Sequence, residues 1–422
     1  MTWVIYTKIK GGSPVSILIM NFVPHDRSPY EQFLKDLGED LILLTSDECA
    51  KGFKKDDYVY MEIFENYRYN QLVEYRALEL YQKYQYHTII ANAEADIIRA
   101  AKLREHLNLK GQRLQSAIQY RDKVVMKQIA KKNGLPTPPF AAIDDSFDLF
   151  HFIEQYQLPI VLKPRSGVGS RDTYVISNKQ ELEELLRKGI PPYYMAEKFI
   201  PGEVYHVDGI IHNGELVFIC ASKYLNEPIQ YHNKGYLGSY VLDPQNPLAG
   251  RLCKMTEQLI SVLDTPAHTT IHAEWFHTVH NEIILCEIAS RTGGGKIVDN
   301  LYTAYNIHLD QAFVRSQCGL PLSLPGKKDE IKPQKLSGWV KIPPKQGIFV
   351  SAPIAQLPEW VKDYQLLAQP GQSFNTPNGI REYIASFIVE GDSELEVYEK
   401  LIQIADWFHQ TSSWQDSDLI AT

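Results

Sequence analysis

Short apolar runs alternate with stretches of helical periodicity over the first hundred residues. Val4–Tyr6, Ser16–Met20, Leu41–Thr45, Tyr58–Ile63 and His87–Asn92 read as strands. Between them, Pro29–Leu37 and the longer Tyr67–Tyr84 read as helices, the second with Val73, Ala77, Leu80, Tyr81 and Tyr84 at helical spacing. That alternation predicts an α/β layer with a mainly parallel sheet. No GxGxxG run accompanies the strands, so a dinucleotide fingerprint has no direct support. The tyrosines between Tyr58 and Tyr86 fall at core-packing intervals and are read as packing, not as a platform for stacked bases.

The pattern changes near Leu114. One helix is predicted from there to Lys132, stopped by Asn133-Gly134 and then Pro136, Pro138 and Pro139. A second covers Phe147–Tyr156. The strand Pro159–Lys163, a loop at Arg165–Asp172 and the strand Thr173–Ser177 follow, then a helix opened by Asn178 and closed by Gly189. Asn213-Gly214 between two apolar runs predicts a tight hairpin. Leu252–Leu263 is helical, and Thr270–Val279 and Ile283–Arg291 read as strands. The loop Gly293–Gly295 leads into the helices Ile297–Tyr305 and His308–Gln317. Leu320–Lys335, rich in Pro and Lys, reads as a linker or domain edge. Beyond it come the strand-like segments Ser337–Ile342, Gly347–Pro353 and Ser386–Val389 and an amphipathic helix over Ser393–Phe408.

Composition narrows the class. At about 100–200 residues per domain, 422 residues make two to four domains. Hydrophobic residues at 44% and charged residues at 22% exclude wholesale disorder. The net charge of −8 argues against a dedicated nucleic-acid binder, which needs a basic footprint to displace counterions. Five scattered cysteines without a CxxC pair form neither a disulfide framework nor a zinc set. No apolar run is long enough for a membrane span or a signal peptide, so a cytoplasmic protein is expected.

The most informative local feature is the strand pair around His280-Asn281. If that dipeptide is the tip of an even-numbered loop, Glu274 stands directly opposite Glu287. Two opposed carboxylates destabilise a ladder unless a cation lies between them. Mg²⁺, which takes hard oxygen ligands and substrate phosphates, is the obvious one. A one-residue slip sends one Glu to solvent instead, and both arrangements stay open at this point. His272 shares a face with Glu274 in an His-x-Glu pair, but the Pro-Cys-x-x-Cys of a zinc deaminase is absent. Cys286 is expected on the opposite face, as a buried inert thiol.

A second feature is Lys163 at the end of Val161-Leu162-Lys163-Pro164, just before Arg165-Ser166-Gly167-Val168-Gly169-Ser170-Arg171. Glycines let backbone N–H groups approach phosphate oxygens, and serine adds a donor. The order differs from a Walker A loop, because the lysine precedes the glycines and a strand follows. It reads either as a strand–flap–strand over a triphosphate or as an ordinary hairpin. Lys123, within Tyr120-Arg121-Asp122-Lys123, reads on its own as a solvated helix charge. The third feature, Glu197-Lys198-Phe199-Ile200-Pro201-Gly202-Glu203, is a strand, a turn and an acid.

In order, these features resemble the ATP-grasp superfamily of ATP-dependent carboxylate–amine ligases, over about residues 120–320. The resemblance implies an α+β ATP-grasp fold in four parts. These are a Rossmann-like pre-ATP-grasp domain at 1–115, a nucleotide-flap lobe at 116–200, a metal and substrate lobe at 201–325 and an α+β domain at 326–422. It implies Lys123 and Lys163 on ATP phosphates, with Ser166, Gly167, Gly169 and Ser170 in the flap above them. Adenine would lie at the backbone of Glu197, Lys198, Phe199 and Ile200, and the ribose at Glu203. Glu274 and Glu287 would hold Mg²⁺, with Mn²⁺ as a substitute. Ala289 stands where many members carry Asn, which puts one metal ligand in doubt. The run Glu287-Ile288-Ala289-Ser290-Arg291-Thr292-Gly293-Gly294 is similar to the branch of L-amino acid ligases, the dipeptide synthetases. There Arg291 and the Gly294 N–H would face the reacting carboxylate.

The implied reaction passes from carboxylate and ATP through an acyl-phosphate to an amide, ADP and phosphate. Its partners are small molecules, namely amino acids contacted by Lys223–Tyr240 and Gly293–Lys296, and a homodimer is compatible with the chain. Two other functions stay open: an ATP-grasp ligase for a different carboxylate or amine, in natural-product or cofactor synthesis, and a nucleotide-binding module without catalysis.

Overall fold

The structure is a computed structural model that describes residues 15–226, 235–352, 357–375 and 382–416. The strand expected at Val4–Tyr6 therefore lies outside the described residues, as does Pro353 at the end of another. Contacts divide the chain into two compact units, Met1–Arg113 with Gln317–Leu320, and Leu114–Ser316 with Pro321–Thr422.

The first unit holds a four-stranded parallel sheet in the order Tyr60–Phe64, Asp40–Ser46, Ser16–Asn21, Thr88–Ala91. Ile17, Leu18, Ile19 and Met20 are fully buried, which is why this strand is written as a continuous apolar run rather than an alternating one. The helix expected over Pro29–Leu37 is only Tyr30–Phe33: Leu37 N–H turns back to the Leu34 carbonyl, and Gly38 follows at φ +71°. The helix Ile97–His106 has no counterpart in the sequence reading. Its inward face includes Arg99 and Arg104, buried and bonded to the carbonyls of Tyr67 and Ile89, and these charges mask the apolar stripe.

The second unit contains a four-stranded antiparallel sheet in the order Phe140–Ile143, Tyr194–Lys198, Ile160–Pro164, Tyr174–Ile176. Its larger, eight-stranded sheet runs Ile283–Ala289, Thr269–Thr278, Gly202–His212, Glu215–Tyr224, Leu237–Val241, Leu336–Ile342, Ala385–Gly391, Val361–Leu366. Asn213 and Gly214 link two of these strands with φ of +53° and +81°, the backbone a tight hairpin needs. Leu237–Val241 is a buried strand inside the sheet, and residues 227–234 of the stretch Lys223–Tyr240 lie outside the described residues. The helices Pro247–Val262, Ile297–Tyr305 and Glu394–Thr411 cover this sheet. The last is opened by Ser393, whose side chain accepts the Glu396 N–H.

One expected helix is two. Leu114–Arg121 ends at Asp122, and Lys123–Lys132 starts anew. The Asp122 carboxylate accepts the N–H groups of Val124 and Val125, and Lys123 N–H bonds to the Arg165 carbonyl, outside the helix. The break turns the first side chain of the new helix toward the glycine loop. No helix among the described residues is long and apolar enough to cross a membrane.

Candidate active site

Glu274 and Glu287 are directly opposed, but not by the expected route. The connection is the odd-numbered Val279–Asn281: Thr278 N–H bonds the Glu282 carbonyl at 3.0 Å, and Asn281 adopts φ +63°. An odd loop alone would set Glu274 against Cys286. A β-bulge at Cys286 restores the register, so that Trp275 pairs with Leu285 and Glu274 with Glu287. The bulge also corrects the expected direction of Cys286. Its Sγ lies 3.9 Å from Glu274 Oε2 and lines the same cavity. Burial pushes this thiol up, and Glu274 and Glu287 raise it further against Lys163.

Lys127 holds the bulge in place. Its fully buried ammonium donates to the carbonyls of Leu285 at 2.8 Å and Cys286 at 2.7 Å. It also lies 3.3 Å from Glu197 Oε2, while Lys163 Nζ lies 2.5 Å from Glu197 Oε1. Burial would raise the Glu197 carboxyl, but the two ammoniums hold it below its usual range. For Lys163 the carboxylate outweighs burial and the pKa rises; for Lys127 burial wins and it falls. Removing one member of such a buried set exposes the others to the full cost of desolvation. Lys127→Met is expected to cost about 3 kcal/mol of stability, read as a lowered urea midpoint. An unchanged midpoint would mean that the bulge holds itself.

Lys123 reaches Glu287 Oε2 at 2.9 Å and the Gly167 carbonyl at 3.1 Å. Burial would raise the Glu287 carboxyl, but Lys123, Lys163 and Arg291 together hold it below the ordinary carboxylate range. Asp122, which falls inside the single helix expected from the sequence, anchors the glycine loop. Arg165 donates to both its oxygens, at 3.1 and 2.6 Å, and the Tyr193 hydroxyl donates at 2.9 Å.

One cavity gathers most of the expected residues. Lys123, Lys163, Gly167, Gly169, Ser170, Glu197, Lys198, Phe199, Ile200, Glu274 and Glu287 line it, together with the unforeseen walls Val161, Val175, Val204 and Phe276. Val161 and Phe276 were legible in principle, since each lies two positions from a named residue on the same strand face. Ser166, Glu203, Arg291 and Gly294 are not among the lining residues. The Ser166 carbonyl accepts from Arg121. Glu203 is exposed, 2.6 Å from Lys223 and accepting from the Tyr205 hydroxyl. Arg291 donates to the Thr292 carbonyl at 2.7 Å. Gly294 is exposed with open space around it.

Gly169 has φ +64°, and Ser170 follows at φ +55°. A β-branched side chain opposes that conformation. Gly169→Val is therefore expected to displace the loop and cut kcat at least about tenfold, with little change in melting temperature because the loop is superficial. A lower melting temperature with normal kcat would make the loop an ordinary turn.

The acidic side has depth that the sequence did not reveal. Tyr224 donates to Glu274 Oε1 at 3.0 Å, and His272 Nε2 lies 3.5 Å from the same oxygen. His272 Nδ1 meets Asp208 Oδ1 at 2.9 Å, and His206 Nδ1 meets Asp208 Oδ2 at 2.6 Å. Burial would lower the His272 pKa; Asp208 outweighs it and pushes it up to about 9. His272 thus shares a face with Glu274 as expected, with its Nδ1 engaged by a carboxylate.

The arrangement offers opposed hard oxygen donors, paired ammoniums, a glycine flap and apolar walls. The two carboxylates fit Mg²⁺, and they leave its remaining positions to phosphate oxygens and water. Residues 120–294 match the family model of the ATP-grasp domain. A curated L-arginine-specific L-amino acid ligase of Bacillus subtilis is 24% identical over 343 residues, covering 76% of this chain and 80% of that protein. The solved L-amino acid ligase from Bacillus licheniformis superposes with a TM-score of 0.75 at 18% identity, over 96% of this chain and 100% of that one. An N5-carboxyaminoimidazole synthetase from Staphylococcus aureus, complexed with ADP, superposes with a TM-score of 0.68 at 15% identity, over 95% and 99%. Such superpositions establish the fold. Residues 120–294 thus carry an ATP-grasp domain, and over most of its length the chain is similar to L-amino acid ligases.

Proposed function

We propose that this protein joins the carboxyl group of one L-amino acid to the amino group of another, using ATP and releasing ADP and phosphate. The observation that carries the reading is the opposition of Glu274 and Glu287 in a cavity that also receives Lys123, Lys163 and the glycine flap. The similarity to L-amino acid ligases supports the choice of substrates. The reaction draws on cytoplasmic ATP, in a chain organised as the four parts 1–115, 116–200, 201–325 and 326–422.

The purine lies between Val161, Val175, Phe199, Ile200, Val204 and Phe276, where an apolar slot takes a flat base. Lys198 and Phe199 N–H groups are already bonded to the carbonyls of Pro139 and Pro159, and Pro201 has none, so the donor left to the base in this run is Ile200 N–H. Glu203 turns from Lys223 to the ribose hydroxyls. Lys123 and Lys163, released in part from Glu287 and Glu197, bind phosphate oxygens under the flap, and Ser166, Gly167, Gly169 and Ser170 shield them from water. Glu274 and Glu287 would hold Mg²⁺, which when bound would neutralise phosphate charge.

Phosphoryl transfer asks mainly for positioning and charge compensation. The substrate carboxylate oxygen attacks the γ-phosphorus, ADP leaves, and an acyl-phosphate remains. An acyl-phosphate hydrolyses readily, so the flap's exclusion of water has a chemical purpose. The second amino acid's amine attacks the acyl carbon, and phosphate departs with the original carboxylate oxygen. Arg291 and the Gly294 N–H hold the charge on the acyl oxygen.

The test is ADP release with paired L-amino acids, followed by mass detection of the amide. Release that requires an amino-acid pair supports the reading. Release only with other carboxylates or amines would move the protein to a different ATP-grasp ligase, and ATP binding without release on any panel would leave a binding module.

A further inference from the structure

Asp208, His206 and His272 form a buried cluster, with one ligand atom from each within 4.8 Å of the others. The spacing would suit a cation, but the hydrogen bonding describes something else. Each Asp208 oxygen is engaged by one imidazole Nδ1, and His206 Nε2 is engaged by the Ser239 hydroxyl at 2.9 Å. The ring atom that faces onward is His272 Nε2, and it faces Glu274 Oε1 at 3.5 Å. Tyr224 donates to that same oxygen. The other oxygen, Oε2, is on the side of the cavity thiol Cys286.

The geometry points to Asp208 and His272 as positioning residues for the metal carboxylate Glu274. Asp208 fixes the imidazole, the imidazole and Tyr224 hold Oε1, and Oε2 is left to face a divalent cation shared with Glu287. This rests on the proposed metal role of Glu274 and adds to it the residues that make one oxygen the ligand. A carboxylate on a strand rotates freely about its last torsions, and a ligand shared between cation and protein needs its second oxygen pinned. Directly across the ladder from His272 stands Ala289, whose small side chain leaves the imidazole room. The glycine loop rests on the same pair: a Cβ on Gly293 would come within 2.9 Å of Asp208 Oδ1 and of His272 Nδ1. One buried pair thus supports both the metal carboxylate and the loop proposed to face the substrate.

The experiment uses the full chain and Mn²⁺ as the probe, with free Mn²⁺ measured by electron paramagnetic resonance in the presence of a non-hydrolysable ATP analogue. Asp208→Asn keeps the shape but removes the charge that fixes His272. It is expected to weaken Mn²⁺ binding by ~10–100-fold, with affinity for the metal-free nucleotide within about threefold. His272→Gln, read alongside, guards against a variant that fails to fold, and is expected to weaken Mn²⁺ binding on the same scale. A merely structural role would lower the melting temperature of both variants and leave Mn²⁺ affinity unchanged, which would overturn the inference while sparing the metal site. Wild-type protein that binds the analogue without taking up Mn²⁺ would overturn the metal role of Glu274 and this inference with it.

Discussion

Glu287→Gln is expected to abolish amide synthesis while leaving the protein folded. The change removes one negative charge from the opposed pair with almost no change in volume. In the wild-type protein that charge is balanced by Lys123 at 2.9 Å, with Lys163 and Arg291 adding to the field. The proposed role asks the same carboxylate to hold Mg²⁺ against the triphosphate, and losing several kcal/mol of charge stabilisation there means roughly a 10³-fold fall in rate or more. The fold should survive, because the amide keeps the shape of the side chain and Lys123 keeps its bond to the Gly167 carbonyl. Near-normal phosphate release by this variant at moderate Mg²⁺ would remove Glu287 from the metal site.

Arg291→Lys separates binding from chemistry. Arg291 lies four residues past Glu287, and its guanidinium donates to the Thr292 carbonyl at the mouth of the glycine loop. A guanidinium presents two parallel donors to a carboxylate or phosphate, which an ammonium cannot reproduce. If the fork serves the acyl-phosphate and the oxyanion after it, neither is present when ATP alone is bound. ATP affinity is then expected to stay within a few fold while kcat falls by ~10²-fold or more, the scale for losing one oxyanion donor. A structural role would show instead as a lower melting temperature, with activity falling only in step with unfolded protein. Unchanged single-turnover ADP formation would take Arg291 out of the mechanism.

Local chemistry wrote much of the fold into the chain. The parallel strands of the first unit are legible because burial on both faces makes them uniformly apolar. The helix Lys179–Lys188 and the hairpin at Asn213-Gly214 are legible from an N-cap, a closing glycine and a turn dipeptide. What stayed hidden depends on partners distant in sequence. Asp122 reads as helix interior until Arg165, Tyr193 and the Arg165 carbonyl give the helix break its reason. The opposition of Glu274 and Glu287 was anticipated from an even loop, whereas an odd loop and a bulge produce it. The bulge is held by Lys127, 158 residues from Leu285, and no strand pattern carries that information. The Asp208–His272 pair is hidden for the same reason, its members lying 64 residues apart on neighbouring strands. The candidate site is thus readable residue by residue where it follows strand alternation. Where buried charges converge from separate elements, it is not.

The central claim is that a carboxylate is activated by phosphoryl transfer before an amine attacks it, and oxygen tracing tests it most directly. Wild-type protein would be given Mg²⁺, ATP and a pool of L-amino acids whose carboxyl oxygens are ¹⁸O, and the released phosphate and amide products analysed by mass. The account predicts ADP as the nucleotide product, one ¹⁸O in each phosphate released, and a matching amount of dipeptide that retains three, one in the amide and two in the free carboxylate. Unlabelled phosphate alongside ADP, or AMP and pyrophosphate in place of ADP and phosphate, would contradict it.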